Sequence, residues 1–215
     1  MRISARWSLV AAALIGLSLT GCAPKGCSSA GYGDNLIQNP GAESGEGSKD
    51  GTVVIVPSWK TTAGKFTAVL YGSPDFLAAK DPGPPDRGKS FFAGGPDAPQ
   101  SAATQTITLA VPAADIDSGH VQYMLSGWLG GYSGQNDNVT VTAKFLGQSG
   151  TAIGSAAIGP VMAADRHSAT ALVERTVSGQ LPSGARIVEV TMTMVRTDGA
   201  YNDGYADNLS FTLKK

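Results

Sequence analysis

From residue 34 onward apolar side chains recur at every second position, the period of strands with one buried face. Over 103–111, Ile107, Leu109 and Val111 alternate with Thr104, Thr106 and Thr108, and over 185–196, Val188, Val190, Met192 and Met194 oppose Ile187, Glu189, Thr191, Thr193 and Val195. Similar, shorter runs predict strands at 34–38, 52–56, 65–71, 89–93, 121–129, 139–146, 152–161 and 176–181. The closing run, 205–213, places Tyr205, Asp207, Leu209, Phe211 and Leu213 on one face. Only 162–174 permits a turn or two of helix. Asn39-Pro40-Gly41 and Gly94-Gly95-Pro96 break strands, and Asn202-Asp203-Gly204 reads as a hairpin turn. About ten short strands between turn residues predict an all-β sandwich or barrel.

Two features depart from this pattern. Residues 74–88 hold four prolines, Pro74, Pro82, Pro84 and Pro85, which a central strand excludes. A loop of about 15 residues in a domain of this size is usually functional or disordered. The other departure is Asp207, a carboxylate in a row of hydrophobes. A buried anion requires a paired cation or a metal. Glu43, just past the first predicted strand, offers a second acid, so a calcium ion joining the first and last strands is expected.

The N-terminus carries a different signal. Arg2 and Arg6 precede an apolar run from Leu9 to Leu19, and Leu19-Thr20-Gly21-Cys22 follows. This is the layout of a secretory signal, and it resembles the bacterial lipoprotein cleavage site. Residues 1–21 are then removed, Cys22 carries the lipid, and 22–33 form a flexible tether to a β domain at 34–215. The run is too short to span a membrane permanently, so the acyl chains are the anchor. By the same resemblance, Ala23 in place of a retention aspartate favours the outer membrane of a Gram-negative envelope. Cys27 is the only other thiol, so the mature chain has no intramolecular disulfide, and its stability rests on a core and a metal. Without Arg2 and Arg6, 14 basic residues face 17 acidic ones, a balance of −3. No basic patch with interleaved aromatics exists, which argues against a nucleic-acid partner.

Asn35-Leu36-Ile37-Gln38-Asn39-Pro40-Gly41-Ala42-Glu43, Trp59, Asp86-Arg87-Gly88-Lys89-Ser90-Phe91-Phe92 and Tyr205-Ala206-Asp207-Asn208-Leu209-Ser210 stand in an order that resembles the galactose-binding-like jelly roll of bacterial carbohydrate-binding modules. Pro40 and Ala42 depart from the glycine and phenylalanine common there. The resemblance implies a two-sheet antiparallel β-sandwich and a structural Ca²⁺ held by the Gly41 carbonyl, Glu43, Asp86, the Lys89 carbonyl and Asp207. Such hard oxygen donors are what calcium requires. It also implies non-catalytic binding of a carbohydrate.

Sugar rings stack on aromatic side chains while their hydroxyls need amides or carboxylates nearby. Tyr132 with Gln135, Asn136, Asp137 and Asn138 supplies that mixture in one loop, and Tyr201 with Asn202 and Asp203 in another. Trp128 is a further candidate ring, although Trp128 and Trp59 both adjoin apolar strand residues and read first as core. Asp115-Ile116-Asp117-Ser118-Gly119 lacks the third acid and distant glutamate of a calcium loop and reads as a β-turn. Signals for catalysis are thin: His120 and His167 have no acid or nucleophile at a diagnostic spacing, and Ser133 in Gly-Tyr-Ser-Gly lacks the full nucleophile elbow. The alternatives are an adhesion or assembly module recognising protein and an envelope glycoside hydrolase, which needs two convergent acids.

Overall fold

The computed structural model describes residues 31–215. The signal segment, Cys22 and Cys27 lie outside the described residues. Ten strands follow in order: β1 (Lys60–Ala63), β2 (Thr67–Leu70), β3 (Ser90–Pro96), β4 (Gln100–Thr108), β5 (Gln122–Gly131), β6 (Asn138–Leu146), β7 (Ala152–Ile158), β8 (Ala171–Gln180), β9 (Ile187–Val195) and β10 (Tyr201–Lys214). They form two antiparallel five-stranded sheets, β1-β4-β9-β6-β7 and β2-β3-β10-β5-β8. This is the two-sheet β-sandwich of the jelly-roll class that the sequence predicts. Its core lies between the sheets. Val188, Val190, Met192 and Met194 of β9 meet Leu125, Leu129, Leu209, Phe211 and Leu213 of the opposite sheet. Trp59 is buried against Phe66 and Phe92, with its indole nitrogen donating to the Asn39 carbonyl.

β10 is not the single-faced strand that its alternation suggests. Its ladder with β5 shifts between Asp207 and Ser210, and Asn208 adopts a left-handed φ of 45°. A one-residue bulge reverses the side on which every later side chain falls. Tyr205 therefore packs in a cluster on the outer face, while Leu209, Phe211 and Leu213 point into the core. Asp207 stands before the bulge and belongs to the outer face with Tyr205, rather than to the core row.

Other expectations need correction. Residues 34–38 form no strand; they run beside β10 through Gly33 N–H to Leu213 O and Leu36 N–H to Phe211 O, and Asn35 bridges Leu209 O and Phe211 N. The β-branched run at 52–56 also stays irregular. Its backbone is satisfied by the Thr67 hydroxyl, which accepts from Val54 N and donates to Thr52 O. β8 starts at Ala171, inside the segment that permits helix, and only a 3₁₀ turn at Ala164–Arg166 remains there. A short helix, α1 (Ala113–Asp117), replaces the β-turn at Asp115-Ile116-Asp117. Asn202-Asp203-Gly204 lies within β10 rather than in a turn, because the chain already reverses through 197–200.

Candidate functional site

Cross-strand pairing fixes what the outer face of the β2-β3-β10-β5-β8 sheet presents. Asp207, Trp128 and Glu174 form one row across β10, β5 and β8, and Ser210, Ser126 and Thr176 form the next row on that face. Thr212, Met124 and Ser178 follow. This lower half is polar and open, with Trp128 half-buried at its upper border.

The upper half is aromatic and closed. Phe91 and Tyr205 are fully buried, with ring centroids 5.0 Å apart, and Tyr71 and Phe76 extend the chain of rings towards Tyr201. The proline-rich loop covers them. Its base is tied by Tyr71 N–H to Lys89 O beside β2 and β3, and its tip by Leu172 N–H to Pro82 O on β8. Since β2 and β8 are the two edges of the sheet, 72–88 crosses all five strands as a strap. Leu77, wholly buried, fills the space against Val69, Phe91, Leu172 and Tyr205. Arg87 rigidifies the strap by donating to the Pro84, Ala78 and Asp81 carbonyls, and its guanidinium carbon lies 5.2 Å from the Tyr71 ring centre.

The residues resembling calcium ligands come together where the strap meets the start of the domain. A Cβ built on Gly41 would sit 3.1 Å from Asp207 Oδ1, 3.2 Å from Asn208 Oδ1 and 3.8 Å from Glu43 Cγ. Glu43 Oε1 accepts from Lys89 N and Ser90 N, and Asn208 donates to Asp86 at 2.8 Å. The Lys89 carbonyl already accepts Tyr71 N–H. Asp207 accepts the Tyr71 hydroxyl at 2.6 Å and the Asn208 amide at 2.7 Å. Burial pushes its carboxyl up to about 7 against these bonds, with Glu43 adding repulsion. Among the described residues none of Glu43, Asp86 and Asp207 has an ion-pair partner. Nor does any group of three His, Cys, Asp or Glu side chains stand close enough to form a ready-made metal cage there.

The loop after β5 has a different role from the one its composition suggests. Asp137 is fully buried: Oδ1 accepts Thr197 N, Thr197 Oγ1 and Asp198 N, and Oδ2 accepts Asp203 N. Its carboxylate braces the turn before β10 and, being wholly buried, presents no surface to a ligand. Asn136 Oδ1 accepts Ala163 N, so it too is engaged in holding loops together. Tyr132 and Tyr201 are half-buried against the aromatic cluster. Gln135 Oε1 and Arg166 Nε are buried without a partner. Arg166, which the sequence reading did not single out, donates to the Ser133, Ala169 and Gln135 carbonyls and clamps two loops at once. An arginine amid Ala, Asp and His carries no local pattern that would reveal this.

Asp203 accepts the Tyr205 hydroxyl, and burial followed by repulsion from Asp137 pushes its carboxyl up to about 6, against the pull of Tyr205 and Arg166. A carboxyl raised in the fold stabilises it fully below its unfolded value of about 4, and this contribution is lost as pH rises through about 6. The loss is on the order of 2 kcal/mol after allowance for partial solvation. Denaturant titrations between pH 4 and 7 should show this decline on top of the one that Asp207 contributes, and Asp203→Asn should make it shallower; an equal slope in both proteins would count against the assignment.

No family model matches the chain, and no curated protein matches it in sequence. Among solved structures it is similar to the enzymatically active domain of tailspike protein 4 of bacteriophage CBA120, with a TM-score of 0.51 at 16% identity. That match covers 84% of this chain but only 21% of the tailspike chain. The C-terminal family 22 carbohydrate-binding module of Clostridium thermocellum Xyn10B is 15% identical, covering 87% of this chain and 96% of that one, with a TM-score of 0.42. The CBM22-1 xylan-binding domain of Paenibacillus barcinonensis Xyn10C is 13% identical, covering 78% and 90%, with a TM-score of 0.41. At such identities the likeness is one of fold, a jelly-roll β-sandwich.

Proposed function

We propose that the protein is a non-catalytic carbohydrate-binding module displayed on a bacterial envelope through lipid on Cys22. The observation that carries the reading is Trp128. It is a half-buried indole at the border of an open polar strip, with Glu174 beside it in its own row and Ser126, Ser210 and Thr176 following. A sugar ring stacked on the indole would find acceptors and hydroxyls along the strand direction. Tyr132 and Tyr201, with Gln135 beside them, would supply a second contact at the far end of the strap. A glycan array probed with the full chain tests this. Binding to one class of oligosaccharide at micromolar to millimolar strength is expected, and a blank array at millimolar protein would refute it.

The same reading includes a structural calcium held by Glu43, Asp86 and Asp207 with the Gly41 and Lys89 carbonyls. Support comes from the donor chemistry: buried or clustered carboxylates without a counter-cation beside a glycine whose missing side chain leaves their oxygens approachable. The ion would supply charge neutralisation and tie the domain's first segment to β10. At calcium a hundredfold above Kd the fold gains about 2.7 kcal/mol. Thermal melts should therefore drop by about 5–10 °C on adding a chelator. An unchanged midpoint, with no calcium retained after dialysis, removes the metal from the account.

A further inference from the structure

We propose that the strap 72–88 is a hinged cover over a concealed continuation of the Trp128 strip, so that long oligosaccharides engage fully only when it lifts. The inference rests on the carbohydrate reading and adds to it a selection by chain length. The open strip from Trp128 to Gln122 is about 20 Å long at the rise of a strand, room for a short saccharide. Continuing upward, the same face carries the Phe91 and Tyr205 rings, with Asp207 at one end and Asp203 at the other. The Tyr71 and Tyr205 hydroxyls are held by these two acids, so the rings keep fixed orientations that present aromatic faces for stacking once uncovered.

The strap is fastened in a way that allows it to move as a unit. Gly72 at φ 85° and Gly88 at φ 70° stand at its two ends, in conformations other residues adopt with difficulty. Its internal carbonyls are satisfied by its own Arg87, and Ala78 N–H donates to its own Asp81, so lifting leaves these bonds intact. At the tip, the backbone bond from Leu172 N–H to Pro82 O joins it to β8. On its inner face Leu77 is wholly buried in the sheet-face cluster, Phe76 packs on the Tyr201 and Tyr205 rings, and Asp86 accepts from Asn208 of β10. A flap held by a few contacts on its inner face and one backbone bond at its tip has two discrete positions, and apparent affinity for whatever binds beneath it falls with the fraction open.

Hydrogen exchange on the full chain tests this without a ligand. The Leu172 amide should exchange at least ~100-fold faster than the amides of the wholly buried Leu125 and Phe211, the latter donating to Asn35 Oδ1, by a local opening. Binding then tests the consequence with β-1,4-linked xylohexaose and xylobiose. Leu77→Ala, which weakens the inner-face contacts, should tighten the hexasaccharide roughly tenfold and leave the disaccharide unchanged. If Leu172 exchanges only together with Leu125 and Phe211, the cover does not lift and the proposal is overturned whatever binds. If it opens and Leu77→Ala shifts both saccharides equally or neither, length selection is overturned. If the strap opens but neither saccharide nor any array glycan binds either form, the carbohydrate reading fails and takes this role for the strap with it.

Discussion

Asp137→Ala is expected to destabilise the fold by about 3–5 kcal/mol and lower its melting temperature by about 10 °C. The wild-type carboxylate accepts four bonds, from the Thr197, Asp198 and Asp203 amides and the Thr197 hydroxyl, while fully buried. Alanine leaves these donors facing a small void, and each unsatisfied buried donor costs about 1–3 kcal/mol before any water enters. Arg166 also loses one of the anions that support its charge, leaving Asp203 and Asp165. Asp137→Asn separates these effects. It keeps the size but turns one donor against donors, and it relieves the repulsion that raises Asp203. Intermediate destabilisation and a smaller decline with pH, complete at a lower pH because the folded carboxyl titrates lower, are expected. Equilibrium denaturation of the three proteins measures both, and a cost under about 1 kcal/mol for the alanine variant would show that the brace is dispensable.

Trp128→Ala should reduce glycan affinity by about 30-fold or more, the usual size for a central aromatic anchor of an interface. Trp128 lies on the outer face, between Asp207 and Glu174, and makes no contribution to the core between the sheets. Its removal should therefore change melting temperature far less than Asp137→Ala does. Tyr132→Ala, at the far end of the strap, should weaken only ligands long enough to reach it. Calorimetric titration of each variant with the best array glycan measures the losses. Equal affinity for wild type and Trp128→Ala would move the site away from this row.

The sandwich was legible because its central strands alternate without interruption. Ile107, Leu109 and Val111, or Val188 to Met194, can be buried on only one face, and the sheets follow from that. β10 misled because a bulge conserves the appearance of alternation while exchanging the faces. Asn208 is one of the few residue types that accept a left-handed conformation readily, and that was the only local hint. The β-branched run at 52–56 has strand propensity but lies where Thr67 side-chain bonds replace a ladder, so propensity lost to tertiary context. Asp207 stood out as an acid without a partner, Glu43 as a second acid near the first strand and Asp86 through the family resemblance; the fold places Asp207 and Glu43 beside Gly41, and Asp86 on Asn208. The loop at 130–138 was read for its composition, yet Asp137 and Asn136 serve the architecture. What distinguishes a brace from a binding group is the set of donors facing it, and those come from Thr197, Asp203 and Ala163, far away in the chain.

The strap illustrates the same limit from the other side. Four prolines and an unusual length marked 74–88 as exceptional, but nothing in the sequence says that the segment spans a sheet from edge to edge. That depends on the meeting of Pro82 with Leu172, ninety positions later in the chain. The aromatic residues could equally have lined an open groove, and it is the strap that divides them into covered and accessible sets.

The most direct measurement is a two-dimensional ¹H–¹⁵N spectrum of the indole groups during titration with the best-binding oligosaccharide. The Trp128 signal should shift progressively with ligand, while that of Trp59, sealed between Phe66 and Phe92, stays in place. A saturable interaction that leaves Trp128 unmoved and instead perturbs the threonine-rich face of the other sheet would contradict the account.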